Sequence, residues 1–342
     1  VGRPLTLSPA VHPTAYIPVD HYSAVHLAAQ AARSVAQRCG LQGALPDQAA
    51  VIASELGSNL AKHAVDGALY IQALPLGNGV EILAADRGPG MREFQRCLAD
   101  GYTTTETLGA GIGGVNRIAT SFTVRTHEPG GTVACARLTP PEDADAGRRA
   151  VGAVCLPAER EEVSGDACTV AETEQGLTAI VVDGLGHGPE AAEAAQLALR
   201  TFARAPDQPL PGLMTTVHRA LRRSRGAAVG LLRLHAGRAQ YCGVGNVRCL
   251  TLSQQDIRNR HTGQPGVAGL EMPQPLVREI PWEPRLTALL HTDGIDHRWA
   301  YSPDPFVLRL PAPLLATALV HGHRRSRDDA TVFTANLHQR LS

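Results

Sequence analysis

Carboxylates standing beside apolar runs are the first sign of chemistry in this chain. Val163-Ser-Gly-Asp166, Val182-Asp183-Gly-Leu-Gly-His187-Gly188, Thr292-Asp293-Gly294 and Arg327-Asp328-Asp329-Ala-Thr331 each carry one or two. Three of these motifs adjoin strand-like stretches, TAIVVDG, LTALLHTDG and DDATVFTANL. Unpaired buried charge is costly, so carboxylates gathered at strand ends call for cations. An all-oxygen cage suits hard divalent ions. Two such ions can clamp a phosphate and generate hydroxide at neutral pH. Taken singly, an Asp-Gly pair is a turn signal and Asp328-Asp329 a loop or N-cap pair. The reading rests on the four motifs together.

A second constellation lies in the first half. Glu55, Asn59, Lys62 and His63 are spaced so that one face of a helix carries all four. A carboxylate and an amide on one face can hold a base and a magnesium ion, which takes its other ligands from water and phosphates. Asp86-Arg-Gly88-Pro-Gly90 follows an apolar run, where a carboxylate can accept from an exocyclic amine and glycines admit close approach of a ligand. Leu108-Gly109-Ala-Gly111-Ile-Gly113-Gly114-Val-Asn-Arg117 leads into a helix whose first amides can cradle phosphate. The glycines come too late for a dinucleotide fingerprint, which needs them after the first strand. Separately these are a polar helix face, a turn and a flexible loop. Their order within one short stretch points to a nucleotide pocket.

The elements that must position these groups are legible in outline. Helical periodicity runs over 22–39, and Asp47 reads as the N-cap of a second helix reaching about Ala64. Strands are expected at 68–76 and 79–85 with a Gly77-Asn78 hairpin, a short helix at 115–119, then strands at 121–127 and 132–138. Residues 139–149 (TPPEDADAGRR) are Pro-rich, acidic and then basic, the composition of a linker. Strands at 150–156 and 177–182 and helices at 189–205 and 210–223 follow, and the remainder reads as strands and turns to Asn336. The expectation is two α/β (α+β) domains, 1–138 and 150–342, joined by 139–149.

Composition narrows the function classes. Lys+Arg and Asp+Glu balance at 32 each, which offers nothing to nucleic acid or an anionic membrane. No apolar run approaches bilayer length, and the first residues lack a signal pattern. The seven cysteines are scattered with no CxxC pair, as reduced, mostly buried thiols in a cytoplasmic protein would be.

The first-half motifs, in their order and with GAGIGGVNRI, resemble the GHKL ATPase superfamily, and within it the RsbT-like anti-sigma-factor switch kinases of stressosome systems. The resemblance covers about 15–138 and implies a GHKL (Bergerat) α/β sandwich binding ATP and Mg2+. It would make Glu55 the base that activates a substrate serine and Asn59 the Mg2+ ligand, with Lys62 and His63 beside the nucleotide. Asp86, with Gly88 and Gly90, would meet the adenine amine. Gly109, Gly111, Gly113 and Gly114 would close over the phosphates, and Thr132 would sit near adenine. The second half, about 150–337, resembles the PPM-type phosphatases of the SpoIIE-like bacterial branch, in a short RsbX-like form, and implies an α-β-β-α sandwich with two Mn2+ or Mg2+ ions. Asp183 would bridge them, the Gly184 carbonyl would ligate one, and Asp166, Asp293 and Asp328 would complete the set. Asp329 falls where a non-ligand polar residue usually sits and ranks behind them. Gly243-Val-Gly245-Asn246 resembles a structural hairpin of the family, and the phosphate-binding Arg of its eukaryotic members has no evident match.

The combined expectation is a switch that phosphorylates and dephosphorylates Ser/Thr on STAS-type antagonist or scaffold proteins, or on an anti-sigma or sigma-regulatory protein. A homodimer is one assembly open to it. The alternatives are a phosphatase whose ATP domain only senses nucleotide or docks a partner, and a non-catalytic protein that sequesters a sigma factor.

Overall fold

The structure is a computed structural model that describes residues 14–90, 111–128, 130–174, 176–235 and 237–341. The described chain divides into two compact units, one of 14–149 with 340–341, the other of 150–339.

The N-terminal unit is one five-stranded sheet in the order β1-β2-β3-β5-β4 with helices on one face. Its strands are β1 (Ala15–Pro18), β2 (Ala68–Ala73), β3 (Val80–Ala85), β4 (Ser121–His127) and β5 (Gly131–Leu138). Helices α1 (Ser23–Arg38), α2 (Leu45–His63) and α3 (Gly111–Ile118) cover it. Ala28, Ala32, Ile52 and Leu56 on the helices pack with Ile71, Ile82 and Val124 on the strands. Small residues let the helices lie close to the sheet. Helix α2 starts upstream of the expected cap, because Pro46 needs no hydrogen-bonded N–H and takes the first turn. Asp47 therefore lies inside that turn, where its charge suits the helix dipole and pairs with Arg33 at 2.8 Å. Pro75 ends β2 early, so the hairpin closes by Leu74 N donating to Gly79 O at 2.9 Å, with Gly77 at φ +84°.

Residues 139–149 are folded. Pro141–Asp143 make a 3-10 turn and Ala144–Gly147 a short helix, α4. The cause is buried. Arg137 is 1% exposed and held by Glu81, Nη2 to Oε1 2.6 Å, and its Nη1 donates to the carbonyls of Gly147 and Arg149 at 3.4 and 2.6 Å. Ser121 Oγ donates to Gly147 O at 2.9 Å. Composition alone could not reveal that a buried guanidinium draws this segment in.

The C-terminal unit is built on two five-stranded sheets, β13-β10-β9-β8-β7 and β12-β11-β14-β15-β6. The first joins β7 (Asp166–Thr173), β8 (Gly176–Gly184), β9 (Ala227–His235), β10 (Arg238–Val244) and β13 (Val277–Ile280). Helices α5 (Pro189–Ala203) and α6 (Leu210–Leu221) pack on it through Ala198, Phe202, Met214 and Val217. The second joins β6 (Arg149–Leu156), β11 (Arg248–Leu252), β12 (Ile257–Thr262), β14 (Thr287–His291) and β15 (Ala330–Arg340). A turn at His297–Tyr301, α7 (Pro305–Leu308) and α8 (Ala312–His323) precede β15. Helix α8 lies on β6, so that a Cβ on Gly152 would stand 2.4 Å from Pro313 Cα. Every paired strand with a given register runs antiparallel, and β8 and β14 are buried on both faces. Both units are thus mixed α/β. Among the described residues, the six cysteines are free thiols and no helix is long and apolar enough to cross a membrane.

Candidate functional site

In the C-terminal unit the register of one ladder does most of the positioning. β7 begins at Asp166, β8 ends at Asp183-Gly184, and Asp166 pairs directly with Asp183. Like charges directly opposed on one sheet repel. Asp166 is 4% exposed, and burial first, then the Asp183 charge, holds its carboxyl well above the usual range. Thr292 Oγ1 donates to Asp166 Oδ2 at 2.7 Å and pulls the other way. For Asp183, burial and then Asp293 push the carboxyl up to about 7, with Asp328 and Asp329 adding to the rise.

Asp293 follows β14, and Asn246 Nδ2 donates to its Oδ2 at 2.7 Å. The turn there is tight, since a Cβ on Gly294 would fall 1.9 Å from Asp329 O. Burial and Asp293 also raise Asp328, whose Oδ1 accepts from Asp329 N at 3.0 Å. Asp329 is engaged differently. Its Oδ1 accepts from Ala158 N and its Oδ2 from Gly165 N, both at 2.8 Å, so it ties the β6–β7 loop to the start of β15. Gly184 N donates to Gly165 O at 3.0 Å, which fixes the end of β8 to the same loop. Nearby, at the surface, His187 Nδ1 and Glu161 Oε1 are 2.8 Å apart.

The donors fit hard divalent cations by chemistry. They are oxygens, they are crowded with like charge, and burial makes that crowding costly without a counter-ion. Among the described residues no three carboxylate, imidazole or thiolate groups close on one point as they stand. Asp166 and Asp293 are instead held by Thr292 and Asn246. Those two residues escaped the sequence reading: Thr292 was only the neighbour of an Asp, and Asn246 read as part of a structural hairpin. The signal available was a polar residue flanking each strand-end motif.

In the N-terminal unit, α2 carries Glu55 and Asn59 one turn apart, and Lys62 and His63 on its exposed last turn. Asn59 Nδ2 is buried without a partner among the described residues, the condition of a polar group shaped for a ligand. The Asp86 loop docks on the end of this helix. Arg87 N donates to Val65 O at 2.9 Å, and a Cβ on Gly88 would stand 3.4 Å from His63 O. Asp86 Oδ1 accepts from Gly88 N at 2.7 Å and Thr132 N at 3.3 Å, while burial raises its carboxyl above the usual range. Thr132 Oγ1 donates to Thr126 Oγ1 at 3.2 Å. Gly90, at φ +76°, sits against His127 O, and Gly131 packs so closely that a Cβ there would meet Asp86 O at 2.0 Å. Gly111, Gly113 and Gly114 form the first turn of α3 rather than a loop before a helix at 115, and Val115 is buried. Helix α3 packs beside α2. Gly109 lies outside the described residues. The arrangement suits a nucleotide: an acceptor at a strand end, helix amides for phosphate, and an amide with a carboxylate on the facing helix.

Comparison with known proteins bears on both halves. Residues 173–338 match the family described as stage II sporulation protein E, SpoIIE. The serine/threonine-protein kinase RsbT of Bacillus subtilis (strain 168) is 35% identical over 109 residues at the N-terminal part, 31% of this chain and 80% of that relative. Two solved structures are also similar. One comes from work on the bacterial stressosome as a modular system adapted to control secondary messenger signalling; it is 32% identical with a TM-score of 0.49, over 54% of this chain and 97% of that one. The other is RsbX in complex with magnesium, 23% identical with a TM-score of 0.46, over 56% of this chain and 94% of that one.

Proposed function

The chain belongs to the RsbT-like serine/threonine kinase family through its N-terminal part and carries a SpoIIE domain after it, and from that premise we propose that it is a two-way phosphorylation switch. The C-terminal unit is a metal-dependent phosphatase for phosphoserine or phosphothreonine. The N-terminal unit is an ATP-dependent serine kinase. Their protein substrates are STAS-type antagonist or scaffold proteins of a partner-switching pathway.

The observation that carries the phosphatase reading is the opposed pair Asp166 and Asp183, with burial and then the charges of Asp293 and Asp328 raising Asp183. Repelling carboxylates held in register cost stability, and a fold keeps that arrangement where cations relieve it. Asp166, Asp183, Asp293 and Asp328 would hold two divalent ions with the Gly184 carbonyl. Those ions supply hydroxide near neutral pH and a clamp on phosphate when bound. Thr292 and Asn246 orient Asp166 and Asp293, and Asp329 braces the loop from below. In the other unit, Asn59 would hold the Mg2+ of bound ATP, Asp86 would accept from the adenine amine, and Thr132 would lie beside it. Glu55, one turn from Asn59, would take the proton from the attacking hydroxyl.

The test is hydrolysis of p-nitrophenyl phosphate with and without Mn2+, comparing wild type with Asp183→Asn. Mn2+-dependent turnover that the variant loses by about a hundredfold or more is expected, the scale at which removing a metal's charge stabilisation registers. Turnover that survives Asp183→Asn would refute the assignment.

A further inference from the structure

A phosphatase site needs a positive group for the substrate as well as for the reaction. Four carboxylates and two divalent ions cancel in charge, and a phosphomonoester brings further negative charge. The loop after β8 has such a group on it. Leu185 N donates to Gly226 O at 3.1 Å, which lays residues 185–188 against the turn between α6 and β9. Arg225 is the residue before that glycine. Its Nη1 lies 3.0 Å from where a Cβ on Gly186 would stand, so the guanidinium rests on the Gly186 backbone, three residues beyond Asp183. Gly186 O in turn lies 3.4 Å from the Cβ position of Gly165, the residue before Asp166. Gly186 is at φ +86°, and any side chain there would displace the guanidinium.

We propose that Arg225 is the phosphate-gripping residue of the C-terminal site, receiving phosphoryl oxygens of a phosphoserine or phosphothreonine substrate beside the metal cage. The inference rests on the phosphatase reading and adds the cation that reading lacks. Arg225 is restrained by Glu190 in the first turn of α5, but the side chains of that pair are 49% and 66% exposed. Exposed pairs are weak and exchange readily. A phosphate would compete for the guanidinium with two oxygens in a bidentate fit, and the amides at the start of the fifteen-residue α5 add to the attraction. Two other arginines near Asp328 have partners of their own, although the Arg325 charge also reaches Asp328. Arg325 Nη2 faces Asp296 Oδ1 at 3.6 Å, and Arg324 donates to Pro157 O.

The experiment is calorimetric titration of the full chain, loaded with Mn2+, with inorganic phosphate, in wild type, Arg225→Ala, Arg225→Gln and Arg225→Lys. Phosphate affinity should fall about tenfold or more in the first two, as for loss of a charged hydrogen bond, and recover in part with Lys. Manganese affinity should stay unchanged, and KM for a phosphoserine peptide should rise by a similar factor while kcat moves less. Equal phosphate affinity in wild type and Arg225→Ala, or no phosphate binding by wild type, overturns the inference. So does loss of manganese binding in both Ala and Gln variants, because the residue would then be holding the cage. If wild type binds phosphate through Arg225 yet hydrolyses no phosphopeptide, the phosphatase reading fails and the anion grip stands. If it hydrolyses the peptide and Arg225→Ala does so equally well, the grip fails and the phosphatase stands.

Discussion

Asp183 and Asp166 face each other across the β7–β8 ladder, and the same repulsion that supports the proposed metal site also predicts how the metal-free protein behaves. Asp183→Asn removes one of two opposed charges. In chelator, the variant should be at least as stable as wild type, by up to roughly 1 kcal/mol, the scale of a cross-strand like-charge pair. Adding Mn2+ should then stabilise wild type by mass action and leave the variant unmoved. Thermal melts of both proteins with chelator and with Mn2+ check this; a variant that melts far below wild type in chelator would mean that Asp183 supports the fold and not an ion. Asp329 makes the contrasting case. Its two oxygens receive the Ala158 and Gly165 amides, so Asp329→Ala leaves two N–H groups unpaired. A loss of about 3 kcal/mol is expected from that desolvation, with or without metal, and urea denaturation in chelator measures it. The two aspartates look alike in the sequence, since each sits in an acidic motif at a strand terminus. What separates them is which backbone reaches which oxygen, and that depends on residues more than a hundred positions away.

At the scale of the element, legibility followed pattern strength. Strand β4 alternates polar and apolar residues from Ser121 to Arg125 and is found where it was expected. Helix α8 was missed, because Ala312, Leu314, Leu315, Ala316, Leu319 and Val320 are buried nearly all round and leave no one-sided stripe to read. Strand β7, DACTVAET, is short of large apolar residues and was hidden beside its own acidic motif. Segment 139–149 has a linker's composition, yet Arg137 organises it. A helix buried on every side must meet its sheet closely, and Gly152 is where α8 does so. Gly152→Ala would place a methyl 2.4 Å from Pro313 Cα and 2.8 Å from Ala312 O, the acceptor of Thr334 Oγ1. The helix must shift off β6, at a cost of about 1–3 kcal/mol for an overpacked core. A urea midpoint equal to wild type would show that α8 is not fixed by this contact.

The whole molecule carries two sites whose proposed reactions oppose each other. A cycle of that kind sets the phosphorylation of a shared substrate by the ratio of two rates, not by either rate alone. In the proposed cycle the ratio would respond to nucleotide through the N-terminal unit and to divalent metal chiefly through the C-terminal one. The candidate residues for each proposed reaction fall within one unit: Glu55 and Asn59 share α2, and Asp166, Asp183, Asp293 and Asp328 lie among residues 150–339. Single changes should therefore drive the same substrate in opposite directions. With a phosphorylatable STAS-type protein, ATP, Mg2+ and Mn2+ present together, wild type should bring it to an intermediate phosphorylation level. Asp183→Asn should carry it towards full phosphorylation, and Glu55→Ala, starting from the phosphorylated form, towards none. Loss of a positioned base commonly costs 10²- to 10⁴-fold in rate, enough to let the other reaction dominate. Phosphate-affinity gels over a time course give the levels directly. A level that Glu55→Ala leaves unchanged would assign the ATP unit to sensing or docking, and one that neither variant moves would take the substrate away from both sites.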